Sequence, residues 1–234
     1  DYLESKLPKL PSFEKPEQWT AYADRLRKEI LDKVVFRGEA RSWRDAPTRV
    51  VQGEKLRATG CKVQQLRYEI LPGMWIPALL YTPEKPSARM PVMLAVNGHE
   101  PAGNGADYKQ VRCLNLARRG LIVLSVEWFG MGQLRTPTNN HGCLNQIDLC
   151  GTSGLSPFYL SMSKGIDVLL AQPGADASRV AVSGLSGGGW QTIFISSLDT
   201  RVTLANPVAG YSPFKVKIRD HLKDLGDSEQ TPCD

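Results

Sequence analysis

The sequence predicts an α/β fold with a mainly parallel β-sheet and helices on both faces. Three observations carry this expectation. Short apolar runs at Pro91–Val96, Leu121–Val126 and Val180–Ser183 alternate with longer helical stretches. Strands that are apolar at nearly every position are buried on both sides, as in a sheet covered by helices. A hairpin precedes them, with Lys62–Ile70 and Met74–Tyr81 flanking the turn residues Leu71-Pro72-Gly73. The run at 180–183 then passes directly into Gly184-Leu185-Ser186-Gly187-Gly188 and an apolar helical segment.

The elements follow in order. Residues 1–15 are Pro-rich and read as a surface wrap. Trp19, Tyr22, Leu26 and Ile30 recur at helical spacing, which predicts a helix over 17–31 packed as a cap on the core. Residues 33–60 read as irregular, with Trp43 and Pro47 as anchors. Residues 1–60 are therefore expected to form an N-terminal extension, and 61–234 a single α/β domain. Within that domain, Tyr108–Arg119 reads as a helix closed by Gly120. Pro157–Leu170 is a second helix, stopped by Pro173-Gly174. Gly188–Leu198 is a third, Val202–Ala205 a further strand, and 213–225 a last helix. No internal repeat or linker interrupts the pattern.

Composition narrows the function. The 234 residues are 41% hydrophobic and 23% charged, which suits one domain with a real core. No apolar run approaches the ~20 residues of a membrane-spanning helix. The net charge of +5 is spread over scattered residues such as Arg25, Arg27, Lys28, Arg41 and Arg44, which argues against nucleic acid as a partner. The five cysteines, at 61, 113, 143, 150 and 233, contain no C-x-x-C. No metal site is expected from them. Buried free thiols are the favoured state, and Cys143 with Cys150 would pair only in an exported protein. The start is polar and lacks Met, which leaves open a secreted or periplasmic chain with its signal removed. Gly187-Gly188-Gly189 follows a serine and is not a dinucleotide-binding G-x-G-x-x-G, so no cofactor is implied.

The strand, G-x-S-x-G and helix at 180–198 form a nucleophile elbow. Gly184 and Gly188 leave out side chains that would strike the neighbouring backbone, and Ser186 is held in a strained conformation at a helix N-terminus. Two more loops follow strands: Asn97-Gly98-His99-Glu100-Pro101 after the third, and Glu127-Trp128-Phe129-Gly130-Met131-Gly132 after the fourth. Together the three loops resemble those of the α/β-hydrolases, on the side of the acetylxylan esterases and dienelactone hydrolases. That resemblance implies Ser186 as nucleophile and an acyl-enzyme mechanism. It implies an oxyanion hole made by the Gly187 N–H and a backbone N–H of His99 or Glu100. Glu127 is expected at the active-site rim with Trp128, where it would orient substrate or steady a histidine. The competing expectation pairs it with an arginine such as Arg135. His141, in the long polar loop 139–156, is expected to line the site wall. The substrate class is a small-molecule or carbohydrate ester, with acetyl groups as the first choice.

The chain also departs from that family. In its order the acid and then the histidine follow the serine. After Ser186 there is one histidine, His221, and the acids before it are Asp199 and Asp220. Asp199 is expected at the wrong end of the sheet, and Asp220 adjoins His221 on a helix, where neighbouring side chains diverge. The expected sheet thus lacks the family's last two strands and helices. The catalytic Asp and His are expected from outside this chain, in a longer polypeptide or a second one. Two alternatives stay open: a peptidase of the same fold, and a non-catalytic binding module whose pocket persists without a working triad.

Overall fold

The computed structural model describes residues 11–137 and 141–210; the helix expected at 213–225, with Asp220 and His221, and Cys233 lie outside them. The described chain begins with α1 (Pro16–Ile30), which runs on through a π-helical turn, Leu31–Val35, and a short helix, α2 (Ala40–Arg44). A seven-stranded sheet follows: β1 (Val50–Ala58), β2 (Cys61–Leu71), β3 (Met74–Pro83), β4 (Met90–Ala95), β5 (Ile122–Val126), β6 (Ala175–Leu185) and β7 (Leu204–Val208). Three longer helices connect the later strands: α3 (Asp107–Arg118), α4 (Leu155–Leu170) and α5 (Gly187–Leu198).

The strand order is β1-β2-β3-β5-β4-β6-β7. The pairs β4–β5, β4–β6 and β6–β7 are parallel, and β1–β2, β2–β3 and β3–β5 are antiparallel. The sheet is therefore mixed, with its parallel part confined to β4, β5, β6 and β7, the first three of which carry the loops of interest. The chain passes from β4 to β5 on one side and then crosses from β5 past β4 to β6 on the other, which leaves the C-terminal ends of β5, β4 and β6 side by side, where ligands collect in open α/β sheets.

Period-two alternation divides the core. On β4, Met93 and Ala95 face α3 in a cluster with Cys61, Val63, Tyr81, Cys113 and Ala117. Val92 and Leu94 face the opposite way, into the larger cluster with Tyr68, Met162, Ile166 and Val182. α4 lies close on that second face because Gly165 has no side chain: a Cβ there would sit 3.0 Å from a Leu94 methyl and 3.2 Å from the Tyr68 hydroxyl. The Tyr68 hydroxyl donates to the Ser161 carbonyl at 2.5 Å, and burial raises its pKa. Tyr68→Phe removes that bond from a buried layer and leaves the Ser161 carbonyl with its helical partner alone. It is expected to cost about 1–2 kcal/mol, read as a lower urea midpoint at unchanged slope.

Two expectations about the N-terminal region are corrected. Residues 50–58 are not irregular: they form β1, paired antiparallel with β2 around a register shift between Gln52 and Lys55. Their run Val-Val-Gln-Gly-Glu-Lys-Leu-Arg-Ala lacks clean alternation because β1 is exposed along nearly its whole length. A β-hairpin thus crosses the expected boundary at residue 60. The helix over 16–30 exists but buries none of its residues. Its Trp19 is 55% exposed and packs on Phe13 and Tyr22 of the same segment. The capping of the core falls instead to Val35, Phe36 and Ala40. Cys61 and Cys113 are buried free thiols as expected, whereas Cys143 and Cys150 are exposed and unpaired.

Candidate active site

The turn between β6 and α5 is built around Ser186. Its φ of 59° is one of two positive values at non-glycine residues among those described, the other being Ala209 at 58°. Such a conformation costs on the order of 1–3 kcal/mol and persists only where neighbours enforce it. Here they do. The Ser186 N–H donates to the Val208 carbonyl at 2.9 Å, and its carbonyl accepts from Trp190 at 3.0 Å. Gly184 and Gly188 are forced: a Cβ on the first would lie 2.6 Å from the Val96 and Gly188 carbonyl oxygens, and one on the second 2.8 Å from Val96 O. Ser186 is exposed, and its hydroxyl makes no capping bond to the helix that it begins.

The loop after β4 lies against this turn. At Gly98 a Cβ would sit 2.7 Å from the Leu185 carbonyl and 3.0 Å from the amide nitrogens of both Gly187 and Gly188. The loop backbone therefore touches the first turn of α5, where unpaired amides concentrate partial positive charge. Asn97 anchors the loop from below. Its amide donates to Asn104 Oδ1 at 2.7 Å, Ser125 Oγ at 3.0 Å and the Val126 carbonyl at 2.7 Å.

Aromatic rings close one side. Trp128 stacks on His141 at 4.9 Å between centroids and meets His99 edge-on at 4.6 Å. Its outer ring lies so near α5 that a Cβ on Gly187 would be 2.0 Å from Trp128 Cη2. The two imidazoles are joined, Nε2 to Nε2, at 2.8 Å, and His141 Nδ1 sits 2.8 Å from the Phe129 carbonyl. A carbonyl only accepts, so His141 carries a proton on Nδ1. Between the two Nε2 atoms, one carries the proton and donates while the other accepts.

No protein-family model and no curated protein matches this chain. Solved structures do. A methylesterase superimposes with a TM-score of 0.70 at 22% identity, over 90% of this chain and 44% of that one. Acetyl xylan esterase 1 from Thermoanaerobacterium sp. JW/SL YS485 gives 0.58 at 19%, over 80% and 56%. The acetyl xylan esterase from Paenibacillus sp. R4 gives 0.56 at 18%, over 97% and 74%. This is the α/β-hydrolase fold. The chain spans about half the length of the first two structures.

In this α/β-hydrolase sheet the expected residues separate into two levels. Ser186, Gly187, His99 and His141 come together at the ends of β4–β6, and Glu100 follows His99 on the same loop, half-buried. Glu127 and Trp128 do not reach the rim. Glu127 is 3% exposed and turned beneath the loop. Its carboxylate accepts from the Asn104 N–H at 3.2 Å and the Trp128 N–H at 3.3 Å. Gly103 and Gly132 cradle it, since a Cβ on either would lie within 2.4 Å of a carboxylate oxygen. Burial raises its pKa, opposed by backbone amides and by Lys109. The cation beside Glu127 is therefore Lys109, not Arg135. Asp199 points away from the site too, pairing with Arg201 at the far end of α5.

Sequence reasoning missed the buried polar residues beneath the loop: Asn104, Lys109 and Gln191. Gln191 had a usable signal, being the amide side chain within Gly-Gly-Gly-Trp-Gln-Thr-Ile-Phe-Ile, where an apolar helix would otherwise be continuous. Among the described residues no group of His, Cys, Asp and Glu could hold a metal ion.

Proposed function

We propose that this chain carries the nucleophile half of a serine carboxylic-ester hydrolase, acting on small acyl groups such as the acetyl esters of carbohydrates. The observation that supports it best is Ser186 itself: a positive-φ serine, exposed, at the N-terminus of α5, with its hydroxyl not spent on the helix. Strain of that kind marks a functional site when the surroundings are built to enforce it. In this reading Ser186 Oγ attacks the ester carbonyl while a base takes its proton. The alcohol leaves with a proton, and water cleaves the acyl-enzyme. The N–H groups of Gly187 and His99 receive the oxyanion, each contributing roughly 3 kcal/mol. The three solved esterases sharing the fold support the reaction class.

His99 and His141 are engaged with each other, so we place the general base and its acid outside the described residues, in further polypeptide. The paired histidines also favour the second reading, a binding module with no working base. A fluorophosphonate probe separates the two when applied to the native protein with whatever polypeptide accompanies this stretch. The expected result is one adduct, mapped by mass to the peptide holding Ser186. An unlabelled Ser186 in folded protein rejects the hydrolase and leaves the module.

A further inference from the structure

Two buried polar side chains beneath the site have no part in the chemistry above. Gln191, on α5, is 2% exposed. Its Nε2 donates to the Asn97 carbonyl at 2.6 Å and to the Gly187 carbonyl at 3.4 Å. One amide thus ties the loop after β4 to the first turn of the elbow helix. Lys109, on α3, is also 2% exposed. Its ammonium reaches the Gly98 carbonyl at 3.4 Å, with Glu127, Glu100, Arg112 and Cys113 as its ionisable neighbours.

These two contacts act on adjoining peptide planes. No described peptide bond is cis, and in a trans peptide the C=O and N–H point in opposite directions. Lys109 holds the Gly98 carbonyl from its buried side, so the N–H of the same peptide, that of the exposed His99, points away from Lys109. Gln191 holds the preceding carbonyl toward α5 and keeps Gly98 against the Gly187 and Gly188 amides.

We propose that Gln191 and Lys109 are positioning residues for the oxyanion hole, which fix the separation and facing of the His99 and Gly187 N–H groups. The proposal rests on the hydrolase reading. It goes further by naming the groups that make two separate loops behave as one anion site. A misplacement of about 1 Å in such a site costs on the order of 100-fold in rate.

The test uses Gln191→Leu and Lys109→Met in the native protein, with kcat and KM measured on a short-chain nitrophenyl ester. A second readout is the affinity of an alkylboronic acid. Its boron takes Ser186 Oγ as a fourth ligand, the hydroxyl proton passes to the base, and a boron-bound oxygen enters the oxyanion position. Each variant is expected to lose about 10- to 100-fold in kcat with KM within about threefold, and boronate affinity is expected to fall in parallel. Folded variants with unchanged kcat overturn the proposal. So does a loss confined to KM, which a merely structural role would allow. Should neither variant fold, a crystal structure of the wild type with boronate decides. His99 N and Gly187 N on one boronate oxygen support the proposal, and a Gly98 carbonyl turned toward that oxygen overturns it. A wild type that binds no boronate and takes no fluorophosphonate overturns the hydrolase reading itself, and this proposal with it.

Discussion

Ser186→Ala is expected to lower kcat/KM for a short-chain ester by at least about 10³-fold while leaving the fold intact. The size follows from the role: without the nucleophile only binding and oxyanion stabilisation remain. The intact fold follows from the structure. The Ser186 hydroxyl is exposed and caps nothing, whereas the two hydrogen bonds that hold the turn use its backbone N–H and carbonyl. Alanine keeps both. Ser186→Gly sharpens the test, because glycine adopts φ near 59° without a Cβ penalty. That variant is expected to be as inactive as the alanine form yet more stable by up to about 1 kcal/mol, the signature of strain kept for function. Ester hydrolysis and urea unfolding on the same preparations check both statements. Retained turnover in Ser186→Ala would remove Ser186 from the chemistry.

How much of this was legible depended on range. The elbow is local: glycines two residues either side of Ser186, after β-branched residues and before an apolar run, state the backbone path directly. The parallel strands were legible because burial on both faces leaves an unbroken apolar run. β1 was not, since an exposed edge strand has no face that must alternate. Glu127 was misplaced for a different reason. Its position at the end of β5 is readable, but its direction is set by Gly103 and Gly132, whose missing side chains open a cradle inward. No pattern within five residues of Glu127 encodes Gly103, which reaches it only through the fold. The His99–His141 pair has the same character, joining residues 42 apart.

The long-range wall of the site can be tested through Trp128. Its side chain is 1% exposed, so Trp128→Ala is expected to cost about 3–5 kcal/mol and to free His99 and His141 from their common platform. Gly187→Ala attacks the same contact from the other side. Its new Cβ would fall 2.0 Å from Trp128 Cη2 and 2.3 Å from Cζ3. A fully buried ring stacked on His141 has little room to yield, and overpacking of this kind costs about 1–3 kcal/mol or more. The two effects must interact. Trp128→Phe removes the outer ring atoms that meet residue 187. It also removes the buried indole N–H, which has no hydrogen-bond partner among the described residues, so part of its packing loss is offset. In a Trp128→Phe background, Gly187→Ala is therefore expected to cost less than in the wild type, by about 1–3 kcal/mol in a double-mutant cycle from denaturant unfolding. Strict additivity would mean that the ring does not bear on Gly187. Because the N–H of residue 187 is one of the two proposed oxyanion donors, the same cycle read in kcat should show activity returning with stability as the clash is relieved.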